Sequence, residues 1–206
     1  MLEKEGSIFQ TAADAEVLAH LAKRRGNGNF PDRMMQALQE LEGAYAFVML
    51  TEEALYVALD PYGLRPLALG RLGDGHVVAS ETCAFDLIGA TYVRDVQPGE
   101  LLTIDHRGVQ SQRFGGTQKQ ALCAMEYIYF SRPDSNLSGL NVHTARKKLG
   151  KALAAEYPLD ADVVTGVPDS SLSAAIGYAE ATGLPYELGL IKSRYVGRTF
   201  IEPFCR

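Results

Sequence analysis

The residues best suited to chemistry lie in the last third of the chain. Lys192-Ser193-Arg194-Tyr195-Val196-Gly197-Arg198-Thr199 places three cations, a tyrosine and two hydroxyls within eight residues. Such a run can wrap a polyphosphate, because guanidinium forks match phosphate oxygens and a lysine adds a compact point charge. A basic loop is also commonly plain solvated surface, and both readings stay open. A second stretch, Val167-Pro168-Asp169-Ser170-Ser171, leads from an apolar segment into an Ala-rich one. If that is a strand running into a helix, the free N–H groups of the helix start favour an anion. Ser170 and Ser171 then add hydroxyls for phosphate oxygens or a metal-bound water. Simple helix capping by Asp169 or a serine is the competing account.

Elsewhere the inventory is thin. Ser131-Arg132-Pro133-Asp134-Ser135 reads first as a turn, with an ion pair or a place in the site as alternatives. His20, His76, His106 and His143 are far apart, with no partner at metal or triad spacing. Cys83, Cys123 and Cys205 form no zinc-type pair, and an odd number suits a reducing compartment better than a disulfide framework. Cys83 is expected as a small packed residue, and Met34 and Met35 as core filling. No dinucleotide fingerprint or Walker sequence is present, and nothing singles out a catalytic base.

The elements that must position these residues follow from periodicity. Thr11-Ala12-Ala13-Asp14-Ala15-Glu16 offers capping groups ahead of Val17, Leu18 and Leu21, and Pro31 opens a second helix carrying Met34, Met35, Leu38 and Leu41. Short strands are expected at 44–50, 54–59, 66–69, 76–80 and 101–105. They are separated by turns such as Asp60-Pro61-Tyr62-Gly63 and Gln97-Pro98-Gly99, and are expected to form an antiparallel meander. Gly115-Gly116-Thr117-Gln118 reads as a hinge, which sets the expected domains at 1–116 and 117–206. Beyond it, strands are expected at 123–130, 162–167 and 186–191, with helices at 141–156 and from Ser171 to Thr182. That order reads as a βαβ unit in a parallel sheet, where ligands gather at the carboxyl ends of strands.

Composition narrows the classes. The chain is 47% hydrophobic and 22% charged, which provides enough apolar mass for a core and excludes whole-chain disorder. Its net charge of −5 argues against a general nucleic-acid or anionic-membrane binder. No apolar run reaches the length of a membrane span, and the start lacks a signal-peptide layout, so a soluble cytoplasmic protein is expected. The chain begins close to a helix signal and stops at Phe204-Cys205-Arg206 without a terminating element. Both ends are expected to be cut from something longer.

Five stretches together carry a family likeness. They are Leu59-Asp60-Pro61-Tyr62-Gly63-Leu64-Arg65-Pro66, Val78-Ala79-Ser80-Glu81-Thr82-Cys83-Ala84-Phe85-Asp86, Met125-Glu126-Tyr127-Ile128-Tyr129-Phe130-Ser131-Arg132-Pro133-Asp134-Ser135, Asp162-Val163-Val164-Thr165-Gly166-Val167-Pro168-Asp169-Ser170-Ser171 and the basic run from Lys192 to Ile201. The chain resembles the glutamine phosphoribosylpyrophosphate amidotransferases, as an internal fragment. The resemblance implies an incomplete α+β glutaminase part of the N-terminal-nucleophile type, followed by an incomplete α/β type I phosphoribosyltransferase part. In that family, glutamine, phosphoribosylpyrophosphate and water give 5-phosphoribosylamine, glutamate and pyrophosphate, the first step of de novo purine synthesis.

Residue by residue, the resemblance implies that Asp14 holds the α-ammonium of glutamine. It implies that Asp169, Ser170, Ser171, Lys192, Arg194, Tyr195 and Arg198 bind phosphoribosylpyrophosphate, with Ser170 also on Mg²⁺. Cys123 matches the first of four cysteines that carry a [4Fe–4S] cluster in one branch of the family. The family's amino-terminal cysteine nucleophile has no counterpart near Met1, so no catalytic residue is carried over and this stretch alone is expected to be inactive. Purine nucleotides as feedback inhibitors and a homo-oligomer are further implications; a nucleic-acid or membrane partner is not. Two other readings stand beside this one. A free-standing nucleobase phosphoribosyltransferase would need an acidic phosphoribosyl loop, which is missing from the sequence. A catalytically inactive interaction or regulatory module would keep only the phosphate-binding surface.

Overall fold

The structure is a computed structural model of the 206-residue chain and describes residues 2–11, 13, 15–24, 28–115 and 119–195. The chain divides into two compact units, Met1–Glu126 and Tyr127–Arg206. The division falls later than the hinge expected at 116. The Ala121 N–H donates to Tyr62 O (2.8 Å), the Cys123 N–H to Leu64 O (3.1 Å), and Arg65 pairs with Glu126 at 2.8 Å, so residues 121–126 are tied to the first unit.

In the first unit, helices α1 (Ala15–Arg24) and α2 (Phe30–Gln39) form where the apolar spacing placed them. Asn29 caps α2 by accepting the Asp32 N–H at 2.9 Å, and Pro31 sits in the first turn, where its missing N–H costs nothing. Seven strands and a short helix follow: β1 (Ala46–Leu50), β2 (Leu55–Leu59), β3 (Ala68–Leu72), β4 (Gly75–Ala79), α3 (Cys83–Ile88), β5 (Thr91–Asp95), β6 (Glu100–Asp105) and β7 (Gly108–Arg113). They do not form one meander. β1-β2-β6-β7 make one antiparallel sheet and β4-β3-β5 a second, so the chain leaves the first sheet after β2 and returns at β6.

The period-2 rule shows most clearly in β2. Tyr56 and Ala58 pack with Leu18, Leu38 and Leu101 on the helix side, whereas Val57 and Leu59 pack with Leu67, Leu69, Val96 and Leu102 on the other. A buried Glu100 at the start of β6 is matched by a two-pronged Arg94 (2.7 and 2.9 Å) and by the Ser111 hydroxyl at 2.5 Å. Burial alone would raise its pKa; the hydrogen bonds from Arg94, Ser111 and the Gln97 N–H outweigh that and lower it.

In the second unit, a two-residue hairpin, β8 (Asn136–Leu137) and β9 (Leu140–Asn141), leads into α4 (Val142–Glu156). Asn141 caps α4 through the Thr144 N–H at 3.1 Å. Helix α5 (Leu172–Thr182) ends at Gly183, whose φ of 75° closes the helix. The two helices meet backbone to backbone. A Cβ on Gly150 would overlap the Ala174 carbonyl oxygen, and one on Gly177 would overlap that of Lys147.

Three expected strands are corrected. Residues 124–130 are helical, ending in a π-helical turn at Glu126–Phe130. The buried Arg146 of α4 donates to Tyr127 O (2.5 Å) and Ser131 O (2.8 Å), and so takes carbonyls that a sheet ladder would need. Of the strands at 162–167 and 186–191, one parallel bridge remains, Val164 with Tyr186. Val163, Val167, Leu188, Leu190 and Ile191 are exposed, so the apolar runs that suggested buried strands are not covered by the described residues. The fold is mixed α and β, and among the described residues there is no parallel pairing beyond that bridge. Among the described residues no helix is long and apolar enough to cross a membrane.

Candidate functional site

The single bridge is what assembles the site. The Val164 N–H donates to Pro185 O (2.9 Å), and the Glu187 N–H donates back to Val164 O (3.0 Å). One step further, the Gly189 N–H donates to the Thr165 hydroxyl at 2.9 Å. Thr165 and Gly189 therefore lie side by side. As a result Lys192, from the second segment, places Nζ 3.2 Å from Oδ2 of Asp169, in the turn after the first.

The turn is not organised as a helix cap. Helix α5 starts at Ser171 without a side-chain capping bond. The Ser171 hydroxyl donates instead to Val167 O at 2.5 Å, and the Asp169 carboxylate faces Lys192. Among the described residues Ser170 makes no side-chain hydrogen bond. The peptide joining Pro168 to Asp169 is cis. First-turn N–H groups of a helix have no intrahelical partners, and no side chain supplies one here. Together with a lysine ammonium, this arrangement can receive a phosphate-type anion. Asp169 and Lys192 are both largely exposed, so their ion pair is a weak one that an anion can displace.

Not every expected residue converges. Arg194 and Tyr195 are exposed, and neither is hydrogen-bonded to the turn. Arg198 and Cys205 lie outside the described residues, as does Asp14. No group of three His, Cys, Asp or Glu among the described residues is placed to hold a metal ion. Cys123, half-buried, is a single thiol against the four a [4Fe–4S] cluster takes, and Ser170 is one neutral oxygen against the six that Mg²⁺ takes. The described residues therefore hold no complete donor set for a metal ion or cluster. Cys83 is buried and free, as expected of a packing residue.

Next to the Asp14 position, Glu16 organises the start of α1. Its carboxylate accepts the Thr11 hydroxyl (2.6 Å) and the N–H groups of Gln10 (2.8 Å) and Thr11 (2.9 Å). The Thr11 hydroxyl first, then the Gln10 N–H, hold its pKa down at about 2. A lowered carboxyl pKa contributes stability that is complete above its ordinary value and is lost as pH falls toward 2. Acid titration of the α1 amides by NMR should therefore show this helix start holding to pH 4 and loosening below it. Glu16→Gln should loosen it already at neutral pH. A helix start equally ordered in both proteins from pH 7 to 3 would contradict this account.

Sequence reasoning missed one buried polar contact beside the site. His143 Nδ1 lies 2.9 Å from the hydroxyl of Ser173, which is buried in the first turn of α5. The two residues are thirty positions apart, and no local pattern announces the pair.

Comparison with known proteins bears on all of this. A family profile described as a glutamine amidotransferase domain matches residues 1–86. An amidophosphoribosyltransferase of Bacillus subtilis is 65% identical over 202 residues, which is 98% of this chain and 42% of that protein. The chain is similar to this part of the amidophosphoribosyltransferases. One from Staphylococcus aureus is 49% identical over 203 residues, 98% of this chain and 41% of that one. The solved glutamine phosphoribosylpyrophosphate amidotransferase of Bacillus subtilis, complexed with ADP and GMP, superposes with a TM-score of 0.93 at 64% identity. That superposition covers 98% of this chain and 45% of the solved one. The chain thus spans about two fifths of the length of the amidophosphoribosyltransferases it matches. Both units lie within the match, so the resemblance carried by the five sequence stretches extends along nearly the whole chain.

Proposed function

We propose that this chain supplies the later part of a glutaminase and the opening part of a type I phosphoribosyltransferase, within an enzyme of the first step of purine biosynthesis. That enzyme would take glutamine, phosphoribosylpyrophosphate and water to 5-phosphoribosylamine, glutamate and pyrophosphate. The observation that carries the reading is 65% identity to an amidophosphoribosyltransferase through both units. The meeting of Asp169 and Lys192 supports it locally.

In the glutaminase half, water cleaves the side-chain amide of glutamine and releases ammonia, with Asp14 as the partner of the substrate's α-ammonium. In the second half, ammonia nitrogen bonds to ribose C1 while the C1–O bond to pyrophosphate breaks. Negative charge grows on the departing pyrophosphate, and donors already aimed at that place lower the barrier. The N–H groups at the start of α5, the hydroxyls of Ser170 and Ser171, and the cations Lys192, Arg194 and Arg198 would supply them. Tyr195 would lie against the same ligand. Asp169 keeps Lys192 near the turn until the anion arrives. Mg²⁺ belongs to the substrate here, arriving with its pyrophosphate, and Ser170 would offer it one oxygen. A cytoplasmic homo-oligomer answering to purine nucleotides completes the proposal. The ADP and GMP in the Bacillus subtilis structure support the nucleotide part; Cys123 would give one of the four thiolates that a [4Fe–4S] cluster takes.

Titrating the chain with Mg²⁺-phosphoribosylpyrophosphate by calorimetry tests the site. Binding is expected at about millimolar, near −4 kcal/mol. Ser170→Ala and Arg194→Ala should each weaken it by roughly three- to tenfold, one hydrogen bond or charge contact each. A folded chain that binds equally well with both substitutions would sink the assignment.

A further inference from the structure

We infer that His143 is a positioning residue for the turn at 167–171, acting through Ser173. The inference rests on the proposed phosphate site and deepens it. Ser173 is the second residue of α5, and its hydroxyl, in a residue only 4% exposed, meets Nδ1 of His143 at 2.9 Å. A serine beside a histidine at this distance has the look of a nucleophile and its base. Its burial removes that role, because no substrate can reach the oxygen. What the bond does is join the first turn of α5 to the first turn of α4.

His143 is well placed to serve as an anchor. Its own N–H donates to Pro133 O (2.9 Å), the preceding Val142 N–H donates to Ser135 O (3.0 Å), and Asn141 caps the helix from below. The Asn141 side-chain amide also donates to Ser135 O (3.4 Å), so the start of α4 is tied to the 133–135 loop at three consecutive residues. Among the described residues the start of α5 has no backbone hydrogen bond to another loop; the Leu172 N–H donates within its own turn, to Asp169 O at 3.4 Å. This helix start lacks a side-chain cap, and its upstream turn is held by an exposed ion pair and by the Ser171 hydroxyl on Val167 O. Directly past Ser173, Gly150 meets Ala174, and a turn farther on Gly177 meets Lys147, pressing the helices together. A close contact of that kind sets the distance between two rods and leaves their tilt free. The buried His143–Ser173 bond is the contact near the front of α5 that fixes the tilt. Hydrogen-bond strength falls steeply with angle, so tilt decides how well the N–H groups at that end meet an anion.

The test uses the full chain with His143→Leu, His143→Asn, Ser173→Ala and the Leu/Ala double variant. An asparagine amide stands where Nδ1 stands and can keep the bond. Affinity for Mg²⁺-phosphoribosylpyrophosphate should fall about tenfold in His143→Leu and in Ser173→Ala, and stay within about twofold in His143→Asn. The double variant should be no weaker than either single one, as expected of two residues acting through one bond. Hydrogen exchange, which needs no ligand, should quicken in the first turn of α5 in His143→Leu while the turn around Gly177 stays protected. A lowered unfolding midpoint with unchanged affinity and unchanged local exchange would overturn the inference, leaving His143 a packing residue. If the unsubstituted chain binds nothing, the phosphate-site reading falls instead, and the exchange result alone decides for or against His143.

Discussion

Gly177→Val is expected to separate α4 from α5 and to cost the second unit about 3 kcal/mol or more. The expectation runs against ordinary helix propensity. Glycine inside a helix is normally worse than alanine by about 1 kcal/mol, so a substitution on an exposed face would stabilise. Here the added carbon would overlap the Lys147 carbonyl oxygen and stand 2.8 Å from its carbon, and neither can swing aside as a side chain would. Gly150 makes the same kind of contact, with Ala174 C at 2.8 Å and Tyr178 N at 2.9 Å. Gly150→Ala is therefore expected to destabilise as well, with the opposite sign to its propensity gain. Urea unfolding followed by circular dichroism, with exchange of the α4 and α5 amides, reads both. Unchanged protection in Gly150→Ala would show that the helices do not meet at these glycines.

Asp60→Leu is the second large effect, in the first unit. Asp60 is fully buried, and its carboxylate accepts the N–H groups of Tyr62 (2.9 Å), Leu64 (3.1 Å) and, at 3.4 Å, Tyr45. Its backbone carbonyl takes two more, from Gly63 and Gly99, each at 3.0 Å. The turn after β2 is thus built around one side chain. Leucine fills the space but leaves three donors unpaired, the Tyr45 N–H buried and those of Tyr62 and Leu64 half-buried, at about 1–3 kcal/mol for each one that water cannot reach. A total near 4 kcal/mol is a large share of the stability of a small domain. Asp60→Asn keeps one acceptor oxygen and should cost about half as much. Thermal unfolding of both variants checks the order; Asp60→Leu unfolding no earlier than Asp60→Asn would refute the hub role.

These two sites show what a sequence can and cannot disclose. Asp60-Pro61-Tyr62-Gly63 reads as a turn because its residue types have local reasons to be there, and Gly63 indeed has a φ of 60°. Helices α1, α2, α4 and α5 were legible for the same reason, since caps and apolar spacing are local. Strand β7 was not, because Gln110, Ser111, Gln112 and Arg113 are exposed and give no apolar alternation. Residues 123–130 carry strand-forming side chains yet turn helically from 124 on, with Arg146, sixteen residues past Phe130, holding carbonyls at Tyr127 and Ser131. Gly150 and Gly177 look like weak points of two helices until the helices are laid together. In the site, Asp169 and Lys192 were each visible as residue types. Their meeting depends on one bridge at Val164, and the His143–Ser173 bond on the packing of whole helices.

The Asp169–Lys192 pair has a consequence for how salt acts on the turn. A lysine already engaged by a carboxylate is no free charge awaiting a ligand; the carboxylate is a tethered competitor for the same ammonium. For any anion that lands there, the observed affinity is what remains after that competition, lowered by at most about fivefold for an exposed pair. Raising the ionic strength weakens the ligand's hold and the competitor's hold together. The two effects oppose each other, so the slope of affinity against salt should be flatter than the number of cations facing the ligand implies. Removing the carboxylate should steepen it.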